Sequence, residues 1–132
     1  MTNLEYAWVE DLPKNCPPPK AVPPDDETFF RLVDVPVTDR DYSSNRRLFP
    51  QKFFKVSECI ARSTSLFDDP ETCAEMLRFP RHRGKKVARL VLPPESGLVM
   101  PTGERDNHVS WWRAVGFDPI AATVINNEST ST

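Results

Sequence analysis

Glycine and histidine are scarce in this chain: its 132 residues include only four glycines and two histidines. No G-x-S-x-G, P-loop or dinucleotide-type glycine fingerprint occurs, which removes the loops that most often cradle phosphate or expose a nucleophile. The cysteines, Cys16, Cys59 and Cys73, show no C-x-x-C spacing, and His82 and His108 lie far apart. A structural zinc site wants about four closely arranged soft ligands, so no metal is expected. No apolar stretch approaches the roughly 18 residues needed to span a bilayer. The start, Met1-Thr2-Asn3-Leu4-Glu5, has neither the basic opening nor the apolar run of a secretory signal. These absences predict a cytoplasmic chain with no membrane partner and three reduced thiols. A formal charge of −2 argues against whole-molecule attraction to nucleic acid or an anionic membrane, and leaves local patches open.

What is present fits one domain that buries enough surface to fold without a metal or a disulfide. Residues 1–26 form a proline-rich N-terminal arm: Pro13, Pro17, Pro18, Pro19, Pro23 and Pro24 fix φ and remove backbone donors, favouring an extended path. Before them Leu4, Tyr6 and Trp8 alternate, as in an edge strand or an apolar clip. The arm either packs along its own domain, links to a preceding one, or offers a proline surface to a protein partner. Residues 27–125 read as a single α+β domain, and residues 126–132 as a polar, disordered C-terminal tail.

Within the domain, Thr28 to Val33 is rich in β-branched and aromatic residues and is closed by Pro36. Phe53 to Val56 and Cys59 to Phe67 read as short strands or extended pieces. One helix is well marked. Asp69 can cap it, Pro70 suits its first position, Glu71 favours its positive end, and Pro80 stops it. Cys73, Met76 and Leu77 share its apolar face, where a cysteine is usually a buried, inert thiol. Val87 to Leu92, Leu98 to Met100 and Val109 to Val115 complete a set of short strands. The expected fold is α+β: a small, mostly antiparallel sheet with one helix.

Two runs could carry binding chemistry. Arg78, Arg81, Arg83, Lys85, Lys86 and Arg89 form a basic loop that would either meet phosphates of a nucleotide or nucleic acid or remain solvated. In His108-Val109-Ser110-Trp111-Trp112-Arg113, strand alternation puts His108, Ser110 and Trp112 on one face and Val109 and Trp111 on the other. Trp112 beside a histidine and a serine could hold a planar base or nicotinamide. The same pair of tryptophans could equally be core residues, or the Trp111-Trp112 face could hold a protein partner.

Taken in order, Thr28-Phe29-Phe30-Arg31, Ala61-Arg62-Ser63-Thr64-Ser65-Leu66-Phe67, the helix with Cys73-Ala74 and the strand Val87 to Leu92 resemble the NAD-binding core of the ADP-ribosyltransferase superfamily. The likeness is to its Arg–Ser-Thr-Ser–Glu branch and to related small bacterial toxin domains that break down NAD. The resemblance implies that Arg31 contacts NAD with its forked donors and that Ser63, Thr64 and Ser65 brace the pocket. It also implies a glutamate that grips a ribose hydroxyl and stabilises the oxocarbenium-like transition state as nicotinamide leaves. The sequence departs from the pattern here. In place of a Glu-x-Glu strand it offers Glu104, and then His108, so either takes that role or the domain is inactive.

Two function classes follow. One is an NAD- or nucleotide-binding, ADP-ribosyltransferase-like enzyme that transfers ADP-ribose or hydrolyses NAD, as a toxin or defence component. The other is a non-catalytic interaction or accessory module, using the arm, the tryptophan face or the basic loop. They separate on geometry: the enzyme needs Arg31, Ser63 and His108 or Glu104 to converge.

Overall fold

From Lys86 to Leu92 the side chains at Ala88, Leu90 and Leu92 are buried while Lys86, Arg89 and Val91 are exposed. That alternation belongs to a strand with one face on a core. In a computed structural model, which describes residues 6–103 and 106–125, it is one of six strands. They are Glu27–Val33 (β1), Thr64–Phe67 (β2), Lys86–Leu92 (β3), Gly97–Pro101 (β4), His108–Arg113 (β5) and Val124–Ile125 (β6). Each neighbouring pair is antiparallel, and the order across the sheet is β4-β5-β2-β1-β3-β6. With helices Asn45–Leu48 (α1), Glu58–Ala61 (α2), Pro70–Glu75 (α3) and Pro119–Ala122 (α4), the chain has the expected α+β architecture.

Helix α3 starts as its residues require. The Asp69 carboxylate accepts the Thr72 backbone N–H at 2.9 Å, and Pro70 needs no donor at the first position. A 3-10 turn, Met76–Arg78, carries the chain on toward Pro80. The other three helices are single turns, too short for periodicity to announce them. Their only signals are caps: Ser44, Ser57 and Asp118 each accept an N–H of the following turn. Helix α2 therefore corrects the expectation that Cys59 to Phe67 is extended throughout. Phe53 to Val56 joins no strand either.

The two sheet faces bury different things. One face packs Phe29, Val33, Leu66, Leu90, Leu92, Val109 and Trp111 against Tyr42 of the 39–44 segment, with Phe117 and Ile125 at the margin. On the other, α3 covers Phe30, Leu32, Phe67 and Val87 through Cys73 and Met76. Gly97 begins β4 at φ +133, where a Cβ would run into the Trp112 carbonyl, so only glycine lets β4 and β5 pair here.

The described part of the proline arm, from Tyr6, lies on this framework. Val115 donates its N–H to the Ala7 carbonyl at 2.6 Å, Val9 to Arg113 at 3.1 Å, and Val22 exchanges two bonds with Val99 of β4. The Val22 pairing covers the outer edge of β4, an edge that would otherwise present unpaired backbone. Glu10 receives the N–H and hydroxyl of Ser44, and Arg62 donates to the Asp11 carbonyl. Cys16 and Cys59 form a disulfide between the arm and α2, with Cα atoms 5.5 Å apart. The expectation of three reduced thiols is thereby corrected. Spacing along the chain concealed the pair because the two cysteines are 43 positions apart, and only the folded arm brings them within bridging range. Residues 126–132, expected to be a disordered tail, lie outside the described residues.

Candidate functional site

β1 runs against β3 along its whole length, from Glu27 opposite Leu92 to Val33 opposite Lys86. β2 does the same with β5, from Thr64 opposite Trp111 to Phe67 opposite His108. Between β1 and β2 the register has one pair, Phe30 opposite Phe67. The sheet is therefore two three-stranded halves, β4-β5-β2 and β1-β3-β6, joined at one point. Backbone groups along the rest of that seam need other partners.

Arg31, next to the joining pair, supplies some. Its Nε donates to the Asp41 carbonyl at 2.5 Å, Nη1 to the Ser65 carbonyl of β2 at 2.6 Å, and Nη2 to the Ser43 carbonyl at 3.4 Å. A guanidinium carries five N–H groups, so one on each terminal nitrogen is left beyond these three bonds. Burial pulls the Arg31 pKa below its ordinary value, and the nearby Arg113 adds to this, while Tyr42 and Asp41 oppose it. Arg113 grips the same segment, donating to the Tyr42 carbonyl at 3.1 Å and to Asp39 at 3.0 Å. Two arginines thus hold residues 39–43 against the seam.

The Ser-Thr-Ser residues divide their work. The Ser63 hydroxyl turns back to the Ile60 carbonyl at 2.7 Å, ending α2. Thr64, buried, donates to the Tyr42 carbonyl at 2.8 Å. Ser65 meets Arg31 through its backbone, not its hydroxyl.

On the Phe30–Phe67 face a polar strip runs between the α3 cluster and α2. Ser65 sits opposite Ser110, and Phe67 opposite His108, so their side chains share this face. The Ser110 hydroxyl, fully buried, lies 2.6 Å from the Thr102 hydroxyl. Thr102 in turn reaches His108 Nδ1 through its hydroxyl at 3.1 Å and its carbonyl at 3.0 Å. In the tautomer that donates Nδ1–H to that carbonyl, Nε2 is the acceptor nitrogen of the ring. Phe67 stands edge-on to the imidazole, with ring centroids 5.5 Å apart. The strip offers hydroxyls, an oriented imidazole and an aromatic wall. That set can hydrogen-bond sugar hydroxyls or an amide and can move a proton.

Arg31 alternates with Phe30 along β1, and Phe30 faces the same way as Phe67 and His108. The arginine stem therefore leaves the sheet on the face opposite His108, Ser65 and Ser110, and reaches β2 only through the seam. The structure brings Ser65, Ser110 and His108 together; it does not put Arg31 or the Ser63 hydroxyl among them. Glu104 lies outside the described residues. Trp112 shares the His108 face, but its indole is buried under α2 and donates to the Cys59 carbonyl at 2.9 Å. Trp111 is fully buried in the main core, with its N–H on the Ser96 carbonyl at 3.1 Å. Neither ring lines an open cleft or presents a surface to a partner, which corrects both readings of that pair.

The remaining candidates are less organised. In the basic loop Arg78 and Arg81 flank the Phe79 ring, and Lys85 pairs with Asp34. Cys73 is buried in the α3 contact, and burial pushes its thiol up to about 12. Among the described residues no three His, Cys, Asp or Glu side chains gather as a cation site, and no helix is long and apolar enough to cross a membrane. Thr102 and Arg113 were not singled out in the sequence. Thr102 had no local signal, whereas Arg113 follows Trp111 at strand spacing and so shares its face. No protein-family model, curated protein or solved structure matches the chain.

Proposed function

We propose that this chain binds NAD or a related dinucleotide at the seam between β1 and β2, as an ADP-ribosyltransferase-like domain in which Arg31 and His108 act from opposite faces of the sheet, not from the single cleft on which the sequence pattern asked them to converge. The observation that carries the reading is Arg31: it stands beside the one point where the sheet halves meet, held by two short bonds to carbonyls and a third, longer one, with donors left over. A guanidinium fixed in this way is suited to a pyrophosphate, since little entropy is lost when it binds. The polar strip lies across the seam from it. There the Ser65 hydroxyl suits a ribose hydroxyl or the carboxamide, and His108, oriented through Thr102, suits taking up the proton of the group that attacks the ribose. The electron pair of the ribose–nicotinamide bond leaves with nicotinamide, which departs neutral, while water or an acceptor side chain adds to the ribose carbon and gives its proton to His108.

The test is a calorimetric titration with NAD together with chromatographic detection of nicotinamide. Binding in the micromolar to millimolar range is expected, with release falling about a hundredfold or more in His108→Ala, the usual scale of a lost acid–base group. No heat and no release at millimolar NAD refutes the proposal. A second reading, a non-catalytic module, is favoured by the placement of Arg31 and His108 on opposite faces; binding without release would support it.

The cytoplasmic location expected from the sequence gives way, in this proposal, to an oxidising compartment, because the Cys16–Cys59 bridge would be reduced in most cytosols. Alkylation of the chain directly on lysis of its native host, followed by a count of protected thiols, decides this.

A further inference from the structure

The segment between α1 and α2 carries the most exposed aromatic side chain among the described residues. Phe53 is 84% exposed, and Phe49 at 49% and Val56 at 52% flank it. From residue 45 to residue 57 the run NRRLFPQKFFKVS contains four cations and no acid. A loop this apolar would ordinarily fold inward, but here it is pinned from behind. Arg46 donates to the Pro50 carbonyl at 2.8 Å and the Lys52 carbonyl at 2.9 Å, packs over the Phe54 ring at 4.9 Å, and pairs with Glu58 at the start of α2. Arg62 pairs with the same carboxylate, and Cys59 ties α2 to the arm. Arg46 is thus spent on structure. Lys52 and Lys55 have no acidic partner among the described residues; Lys52 lies against the Phe49 and Phe54 rings, and Lys55 lies between Phe53 and Val56 in sequence.

We propose that this loop docks on the surface of an anionic lipid bilayer, with Phe53, Phe49 and Val56 entering the headgroup–acyl boundary and Lys52 and Lys55 meeting lipid phosphates. The net charge of −2 concerns the molecule as a whole; the patch is local and of opposite sign. Aromatic side chains interleaved with lysines are what an anionic interface accepts. Protein interfaces, by contrast, are depleted in lysine relative to the rest of a protein's surface. A single-stranded nucleic acid needs successive stacking platforms and a basic groove. Lys52 Nζ already lies over Phe49 and Phe54, at 5.5 and 5.7 Å, so Phe53 is left as one free ring.

The test uses the full oxidised chain, sedimented with vesicles of phosphatidylcholine alone or mixed with phosphatidylserine, and in parallel titrated with a single-stranded oligonucleotide. Binding is expected only to the mixed vesicles, over the millimolar lipid range, and weakening with salt. Phe53→Ala should lower the partition coefficient about tenfold or more, and Lys52→Gln and Lys55→Gln about fivefold each, with unchanged melting temperatures. The proposal is overturned by absence of binding to mixed vesicles, by equal binding to both vesicle types, or by equal partition of Phe53→Ala. It is overturned as well if the oligonucleotide binds through this loop and the vesicles do not.

Discussion

Replacing Arg31 by methionine tests the seam most directly, because it keeps much of the side-chain stem and removes every donor. Three carbonyls lose a partner: Asp41, Ser65 and Ser43. Hydrogen bonds to a charged donor contribute about 1.5–3 kcal/mol each, and a buried acceptor left unpaired costs on the same scale. The 3.4 Å bond to Ser43 counts for little at that length. Arg31 is partly exposed, so water recovers part of the loss at the other two. Taking both short bonds at the low end gives about 3 kcal/mol. For a chain of this length that corresponds to a fall in melting temperature of about 10 °C. Urea unfolding followed by tryptophan fluorescence in oxidising buffer, with the slope unchanged, measures it. Arg31→Lys should fall between, since an ammonium cannot fork to carbonyls on two sides. A loss below about 1 kcal/mol for Arg31→Met would refute the clamp. If NAD binding vanished in that same stable variant, Arg31 would serve the ligand and not the fold.

The disulfide closes a loop spanning 43 residues in sequence, for which chain entropy gives a ceiling of about 4 kcal/mol. Reduction, or Cys59→Ser, should lower the urea midpoint accordingly and detach the arm. In the native oxidised protein a thiol reagent at pH 8 should find essentially nothing, because Cys73 is buried with its thiol raised to about 12; in urea it should find one thiol, and after reduction three. His82 is held below its usual 6.5, chiefly by burial and further by Arg81 and Lys85. The unfolded chain therefore takes up that proton first as pH falls, so stability is full above about 6.5 and declines below it. His82→Gln should flatten that limb of a urea-midpoint profile between pH 7 and 5; a slope equal to wild type would exclude His82 as its source.

Much of the fold was legible where an element carries its own local signal. Ala88, Leu90 and Leu92 announce β3, and Asp69-Pro70 announces α3, with no reference to the rest of the chain. The site was legible only in part, for a reason tied to tertiary structure. Alternation correctly grouped His108 with Ser110 and Trp112, yet it says nothing of what covers a face. Trp112 is hidden by α2, a single turn with a serine cap and no periodicity. Arg31 carries the same strand signal whether it grips a ligand or its own backbone; only Asp41 and Ser43, ten and twelve residues on, decide that. The Cys16–Cys59 bridge depends on the arm folding back, which proline content describes as extension but does not aim.

The placement of Arg31 and His108 on opposite faces limits what ligand can use both. Elsewhere the paired strands close the sheet, so a molecule touching both groups must lie along the seam where β1 and β2 share only Phe30 opposite Phe67. Arg31 and His108 leave the sheet in opposite directions, a separation that a mononucleotide cannot span while keeping both its phosphate and its base engaged. A dinucleotide has the length. If the proposed site is correct, NAD binding should weaken in both Arg31→Lys and His108→Ala. Nicotinamide mononucleotide should respond to His108→Ala alone, and adenosine diphosphate to Arg31→Lys alone. Calorimetric titration of the three ligands against the two variants reads this out. Equal sensitivity of the mononucleotide to both substitutions would mean that the two groups meet in one compact pocket, and the argument from opposite faces would fall.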